Sequence, residues 1–210
     1  EAGLAQLLVS YHAGDEALSD QKTRAPGTWR RTVVGIRQAL DVGLFVELNC
    51  VVERANVDAL EDHARDVVER FVTPDARRRV FLLSYTHPCH AYDPEVWEQV
   101  VVPLDEVGPR LIAAARILKE HGVSARVTGQ GCAFPPCTFH DDPTLIRLEK
   151  ETSFDRTDFD GRVFAAACEG CAVRPFCLGL RREYVEHYGD EGVRPFAQVP
   201  AGAVRVRERT

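Results

Sequence analysis

Apolar positions along this chain alternate between period-two runs and helical stripes, and the alternation repeats. Leu4–His12 reads as a strand rich in Leu and Val. Thr28 suits the N-cap of a helix that runs to Val42 and stops at Gly43, with Val33, Ile36 and Leu40 on its inward face. Leu44–Val52 reads as a second strand. Asn56 is placed to cap a helix over Val57–Phe71, whose buried stripe is Leu60, Ala64, Val67 and Val68. Arg79–Thr86 is the third strand. Pro103 suits the first turn of a helix reaching His121 and closed by Gly122, and Val123–Thr128 is a shorter fourth strand. Strand–helix–strand repetition predicts right-handed crossovers and a parallel sheet, curved or open. After Gln130 the rhythm ends. The rest is rich in Pro, Cys and Asp, with little periodicity before a helix expected at Leu178–Tyr188. The chain therefore divides into an α/β unit over residues 1–130 and a small unit over residues 131–210, where a metal would compensate for a thin core.

The strand faces differ in polarity. On the first strand Leu7, Val9 and Tyr11 share one face, and Gln6, Ser10 and His12 the other. On the second, Val46, Leu48, Cys50 and Val52 lie opposite Glu47 and Asn49. Parallel strands covered on both sides are near-continuous apolar runs, so recurring polar side chains on one face point to a wet or ligand-filled space. Ligands in such folds bind beyond the carboxyl ends of the strands, where Ser10, His12 and Asn49 sit. An edge strand with a solvated face gives the same pattern.

Composition narrows the class. With 210 residues and 45% hydrophobic content, the chain can form one substantial core. Net charge is −6, with 32 acidic against 26 basic residues, which argues against a nucleic-acid partner. No apolar run approaches membrane-spanning length, and no secretory signal is read at the start. Seven cysteines, an odd count clustered late, do not form a secreted disulfide framework, so a reducing cytoplasm is expected. The chain lacks methionine and opens directly on an apolar run, which reads as a piece of a longer polypeptide.

Candidate chemistry concentrates in Cys168-Glu-Gly-Cys171-Ala-Val-Arg-Pro-Phe-Cys177. A two-residue gap lets neighbouring thiols turn toward one centre, and a third follows after five residues. A fourth must come from elsewhere. Cys137, in Phe-Pro-Pro-Cys, is the first candidate and Cys132 the reserve. An iron–sulfur cluster, a structural zinc and buried inert thiols all fit this spacing.

Three further segments carry a resemblance: Val9-Ser-Tyr-His-Ala-Gly, Gly27-Thr-Trp-Arg-Arg-Thr-Val-Val-Gly-Ile, and Val46-Glu-Leu-Asn-Cys-Val-Val-Glu-Arg-Ala-Asn56. Together they resemble the second half of a radical SAM enzyme barrel. The Cys168/Cys171/Cys177 run, followed by Gly179, Tyr184 and Tyr188-Gly189, resembles the auxiliary-cluster extension of the SPASM and twitch subgroup. The full SPASM pattern has another cysteine at the position of Arg181, so the shorter twitch type is the better match. The resemblance implies a partial (β/α) barrel of parallel strands, an auxiliary [4Fe–4S] cluster on Cys137, Cys168, Cys171 and Cys177, and S-adenosylmethionine held across the lumen. It further implies that Ser10 and Asn49 touch the ribose or methionyl part, and that backbone near Leu83–Tyr85 lies by the adenine. The implied chemistry is radical modification of a substrate, a peptide or protein in this subgroup. The C-x3-C-x2-C loop that generates the radical is absent from these 210 residues, so an N-terminal barrel half is the missing partner and this portion alone is not expected to be active. A reading of another class is a non-catalytic, zinc-stabilised α/β binding domain.

Several polar groups have plain explanations. Thr86-His87-Pro88-Cys89-His90 could bind substrate or metal, but reads more simply as a polar loop with a Pro turn. Asp15, Glu16 and Asp20 read as a solvated acidic stretch, and Phe139-His140-Asp141-Asp142 as a turn with a helix cap. Asp155, Asp158 and Asp160 lack calcium-loop spacing, and Arg181-Arg182 reads as the coat of a helix.

Overall fold

The structure, a computed structural model, describes residues 3–75, 80–86, 88, 94–128, 133–150 and 161–206. Strands β1 (Gln6–Ser10), β2 (Phe45–Val51), β3 (Val80–Thr86) and β4 (Ala125–Arg126) form a parallel sheet in the order β1-β2-β3-β4. Helices α1 (Glu16–Thr23) and α2 (Thr28–Asp41) connect β1 to β2, and α3 (Leu60–Phe71) connects β2 to β3. Helices α4 (Pro94–Val100) and α5 (Leu104–Glu120) lie between β3 and β4. The fold is mixed α/β with an open parallel sheet, and among the described residues the sheet does not close into a barrel. Among these residues no helix is long and apolar enough to cross a membrane.

One face of the sheet is dry. Val46, Leu48 and Cys50 of β2 are fully buried against stripes from α2 (Val33, Ile36, Leu40), α3 (Leu60, Ala64, Val67, Phe71) and α5 (Val107, Leu111, Leu118). The opposite face is open. Glu47 and Asn49 are half-buried, Ser10 is exposed, and Leu8, which shares their side, is 66% exposed. The polar face expected on the first strand is thus also apolar at Leu8, and β1 stands at the edge of the sheet.

Several sequence expectations shift where polar side chains serve the backbone. Helices α1 and α4 carried no clear apolar stripe and were not expected. Asp15 caps α1 by accepting from the Leu18 amide at 2.8 Å. Asp20 is not a solvated acid: it accepts from the Gly27 amide, from Trp29 N at 3.1 Å and from Thr28 Oγ1 at 3.3 Å, satisfying the free N-terminal donors of α2. The cap assigned to Thr28 therefore belongs to Gly27 in position and to Asp20 in chemistry. Asn56 stands at the N-cap position of the 3-10 turn Val57–Ala59 that leads into α3, but its side chain makes no cap hydrogen bond. It is buried, donates to the carbonyls of His12 (2.9 Å) and Val51 (3.1 Å), and accepts from Glu53 N at 2.8 Å, tying the ends of β1 and β2 together.

Beyond the sheet, β5 (Leu148–Lys150) pairs in parallel with β8 (Val204–Val206), and β6 (Arg162–Val163) pairs antiparallel with β7 (Leu180–Arg181). The last helix, α6, is Arg182–Tyr188, shorter than the expected Leu178–Tyr188 because Leu180 and Arg181 are taken into the β6–β7 ladder. Arg181 accordingly does not coat a helix; its side chain is 18% exposed and lies 3.8 Å from Glu183. The hydroxyl of buried Tyr184 accepts from Leu104 N and donates to the Glu191 carbonyl, both at 2.9 Å, fastening α6 to the start of α5. Phe139, Val173 and Tyr184 belong to the same buried cluster as the sheet residues, so the core is continuous.

Candidate metal centre

The β6–β7 ladder closes the base of a loop over residues 164–179, and this loop carries Cys168, Cys171 and Cys177. Within it the short 3-10 turns Ala166–Cys168 and Arg174–Phe176 fold the two ends back on each other. Cys137 sits on another 3-10 turn, Pro136–Phe139, which is anchored on α5 through buried Phe139 and through Gly108. A Cβ at Gly108 would stand 2.7 Å from the Thr138 carbonyl oxygen, so the absence of a side chain there sets how close this turn can come.

Cys137, Cys168, Cys171 and Cys177 line one recess, together with Pro135, Phe164 and Phe196. The recess encloses about 370 Å³ of space outside protein atoms, part of it open to solvent. All four thiols are free and partly exposed. Burial pushes the Cys137 thiol up to about 12, and repulsion from Cys177, Cys168 and Cys171 adds to that. Burial likewise raises Cys177 to about 11, with Cys168 and Cys171 contributing. Groups that repel one another in this way are neighbours: two distant stretches have been brought to one place.

Two of the sulfurs accept a hydrogen bond from a backbone amide. Gly179 N donates to Cys177 Sγ at 3.2 Å, and Phe196 N to Cys171 Sγ at 3.4 Å. Backbone hydrogen bonds from Arg194 to Cys137 and from Ala165 to Cys168 hold those thiols below where burial alone would put them. The segment 194–196 thus serves both cysteine stretches. It is fixed by the two-pronged Arg194–Asp141 pair (2.8 and 2.7 Å), by stacking of His140 on Phe196 with ring centres 5.0 Å apart, and by Ala172 N bonding the Phe196 carbonyl at 2.8 Å. No cysteine or repeated motif marks this segment in the sequence. The signal available was Asp141 beside His140, which had been read as a turn.

The donor set fits an iron–sulfur cluster. Four thiolates are the usual ligands of such a cluster, and amide donors to sulfur are among the features that set its potential. A zinc ion draws four sulfurs to about 2.3 Å from one point. Among the described residues no three His, Cys, Asp or Glu side chains are grouped tightly enough to hold a single ion.

Ser10 and Asn49 are paired in register at the carboxyl ends of β1 and β2, and Asn49 pairs with Ser84 on β3. Asn49 Oδ1 also accepts from Thr86 Oγ1 at 3.4 Å. The register thus sets hydrogen-bonding residues in a row across the open face. Leu83 occupies the register position beside Leu48. The Tyr85 side chain points away from the open face: it is fully buried and its hydroxyl meets His63 Nδ1 at 3.3 Å, leaving only its backbone to the strand end. Nearby, Lys22 Nζ bonds Glu53 at 2.6 Å with its side chain 5% exposed, and His12 Nδ1 accepts from Val51 N at 3.2 Å. Cys132, His87, Cys89, His90, Asp155, Asp158 and Asp160 lie outside the described residues.

Compared with protein-family models, with curated proteins and with solved structures, the chain matches none of them.

Proposed function

We propose that this chain is the C-terminal portion of a radical SAM enzyme, a partial (β/α) barrel with a twitch-like extension whose auxiliary [4Fe–4S] cluster is held by Cys137, Cys168, Cys171 and Cys177. The observation that carries this reading is the convergence of those four thiols, from two stretches of chain, on one recess, with backbone amides donating to the Cys171 and Cys177 sulfurs. When bound, such a cluster supplies one-electron chemistry. The chain's own residues would bind and orient it: four thiolates ligate, the backbone amides of Gly179 and Phe196 donate to sulfur, and Phe164, Val173 and Phe196 limit water around it.

The open sheet face is the far wall of the S-adenosylmethionine site. Ser10 and Asn49 hydrogen-bond the ribose or methionyl part, and backbone near Leu83–Tyr85 borders the adenine. Exposed Leu4 and Leu8 at the β1 edge support a further barrel portion packing there, since apolar side chains at a parallel-sheet edge are ordinarily covered. That portion would bring the radical-generating cluster, and the substrate of the complete enzyme is a peptide or protein. A reducing cytoplasm suits the free thiols.

Anaerobic reconstitution with iron and sulfide tests the cluster. The protein is expected to turn brown, with broad absorbance near about 400 nm and roughly four irons per chain. Cys171→Ala is expected to lose that colour and most of the iron while the far-ultraviolet circular dichroism of the sheet and long helices persists. A colourless protein carrying zinc instead would reject the enzyme reading in favour of a zinc-stabilised binding domain.

A further inference from the structure

We propose that Arg162 is a positioning residue for the cluster: it holds Gly179 so that the Gly179 amide is aimed at the Cys177 sulfur, and it places a cation beside that sulfur, making the bound cluster easier to reduce. The proposal rests on the iron–sulfur reading above.

Arg162 starts the β6–β7 ladder, where it pairs with Arg181, and is largely buried. Its guanidinium is a rigid fork that bonds two carbonyls at once. Nη1 donates to the Gly179 carbonyl at 2.8 Å and Nη2 to the Ala133 carbonyl at 3.2 Å. Gly179 lies two residues after Cys177, and Ala133 lies four before Cys137. One side chain therefore clamps both cysteine-bearing stretches at the edge of the recess.

Gly179 allows no substitute. Its φ is +84°, and a Cβ there would stand 2.4 Å from the Val163 carbonyl oxygen. With its carbonyl pinned by Arg162, its amide donates to Cys177 Sγ. Arg162 and Cys177 also interact through charge: the thiolate favours the protonated guanidinium, and the guanidinium favours the thiolate. Burial and neighbouring Arg181 lower Arg162 to about 10, so it stays a cation at neutral pH. Reduction adds one negative charge to the cluster, and both an amide at sulfur and a nearby cation stabilise that charge.

The test compares reconstituted wild-type chain, Arg162→Gln and Arg162→Lys, each assayed for iron and sulfide and then titrated redox-chemically with electron paramagnetic resonance of the reduced cluster as readout. With all three loaded, Arg162→Gln is expected to lower the ratio of reduced to oxidised cluster at a fixed poise about tenfold, equivalent to about 59 mV for one electron. Arg162→Lys keeps the charge but cannot span both carbonyls, so its ratio is expected to fall about threefold below wild type, between the other two. Fully loaded Arg162→Gln protein titrating within about twofold of wild type would overturn the proposal. If Arg162→Gln fails to fold, the Lys variant decides: a loaded cluster whose ratio is lowered about twofold or more supports the clamp, and a ratio within about twofold of wild type overturns it. A wild-type chain that holds no iron and sulfide defeats the underlying cluster reading instead.

Discussion

His63 lies between two tyrosines with both ring nitrogens engaged: Nε2 donates to the Tyr11 carbonyl at 2.9 Å and Nδ1 accepts from the Tyr85 hydroxyl. Burial lowers its pKa from the ordinary 6.5 to about 4, the Tyr11 bond opposes that in part, and nearby His12 adds to it. Since the unfolded chain takes up the proton first as pH falls, folding free energy is lost between about pH 6.5 and pH 4, and the contribution at stake is on the order of 3 kcal/mol. Urea unfolding from pH 7 to pH 4.5 should show this loss, and His63→Gln should flatten the slope; equal slopes in the two proteins would contradict the assignment. Nothing in the sequence announced His63, because helical position alone does not distinguish an inward polar residue that finds two partners from one facing solvent. Asn56 and Asp20 teach the same lesson. Their residue types promise a hydrogen bond to backbone, and only the fold says whose.

Elements were legible where apolar periodicity was strong. The stripes on α2 and α3 and the buried face of β2 read directly from Val33, Ile36, Leu60, Val67, Val46 and Leu48. The short pieces were not: β6, β7 and the 3-10 turns carrying the cysteines are set by long-range pairing, such as Val163 against Leu180, which leaves no local pattern. Close approach of α5 to the Cys137 turn is likewise invisible until Gly108 is seen against Thr138. Gly108→Ala should be destabilising there. Overpacking against a fixed carbonyl costs about 1–3 kcal/mol, more than the ~1 kcal/mol that Ala contributes over Gly inside a helix. The expected outcome is a lower melting temperature and reduced iron retention, whereas a stabilised variant with full iron would show that the turn is free to move.

At the scale of the whole molecule, an open parallel sheet and a cysteine recess share one hydrophobic core. The spacing of Cys168, Cys171 and Cys177 made their grouping legible, and Cys137 was named as the fourth on sequence position alone. The framework that unites them was not readable: the Arg162 side chain binds backbone carbonyls, and Gly179 and Phe196 donate backbone amides, partners that any sequence possesses. Among the described residues, Ser10 and Asn49 stand on an open sheet face beside exposed Leu8. The most direct measurement is iron and sulfide stoichiometry after anaerobic reconstitution of wild type, Cys137→Ala and Cys132→Ala, with Mössbauer spectroscopy identifying the cluster type. Roughly four irons per chain in wild type and in Cys132→Ala, with loss of the cubane signal in Cys137→Ala, is the predicted result. Retention of a full cluster by Cys137→Ala, or a wild-type centre made of zinc, would contradict four converging sulfurs around one inorganic core.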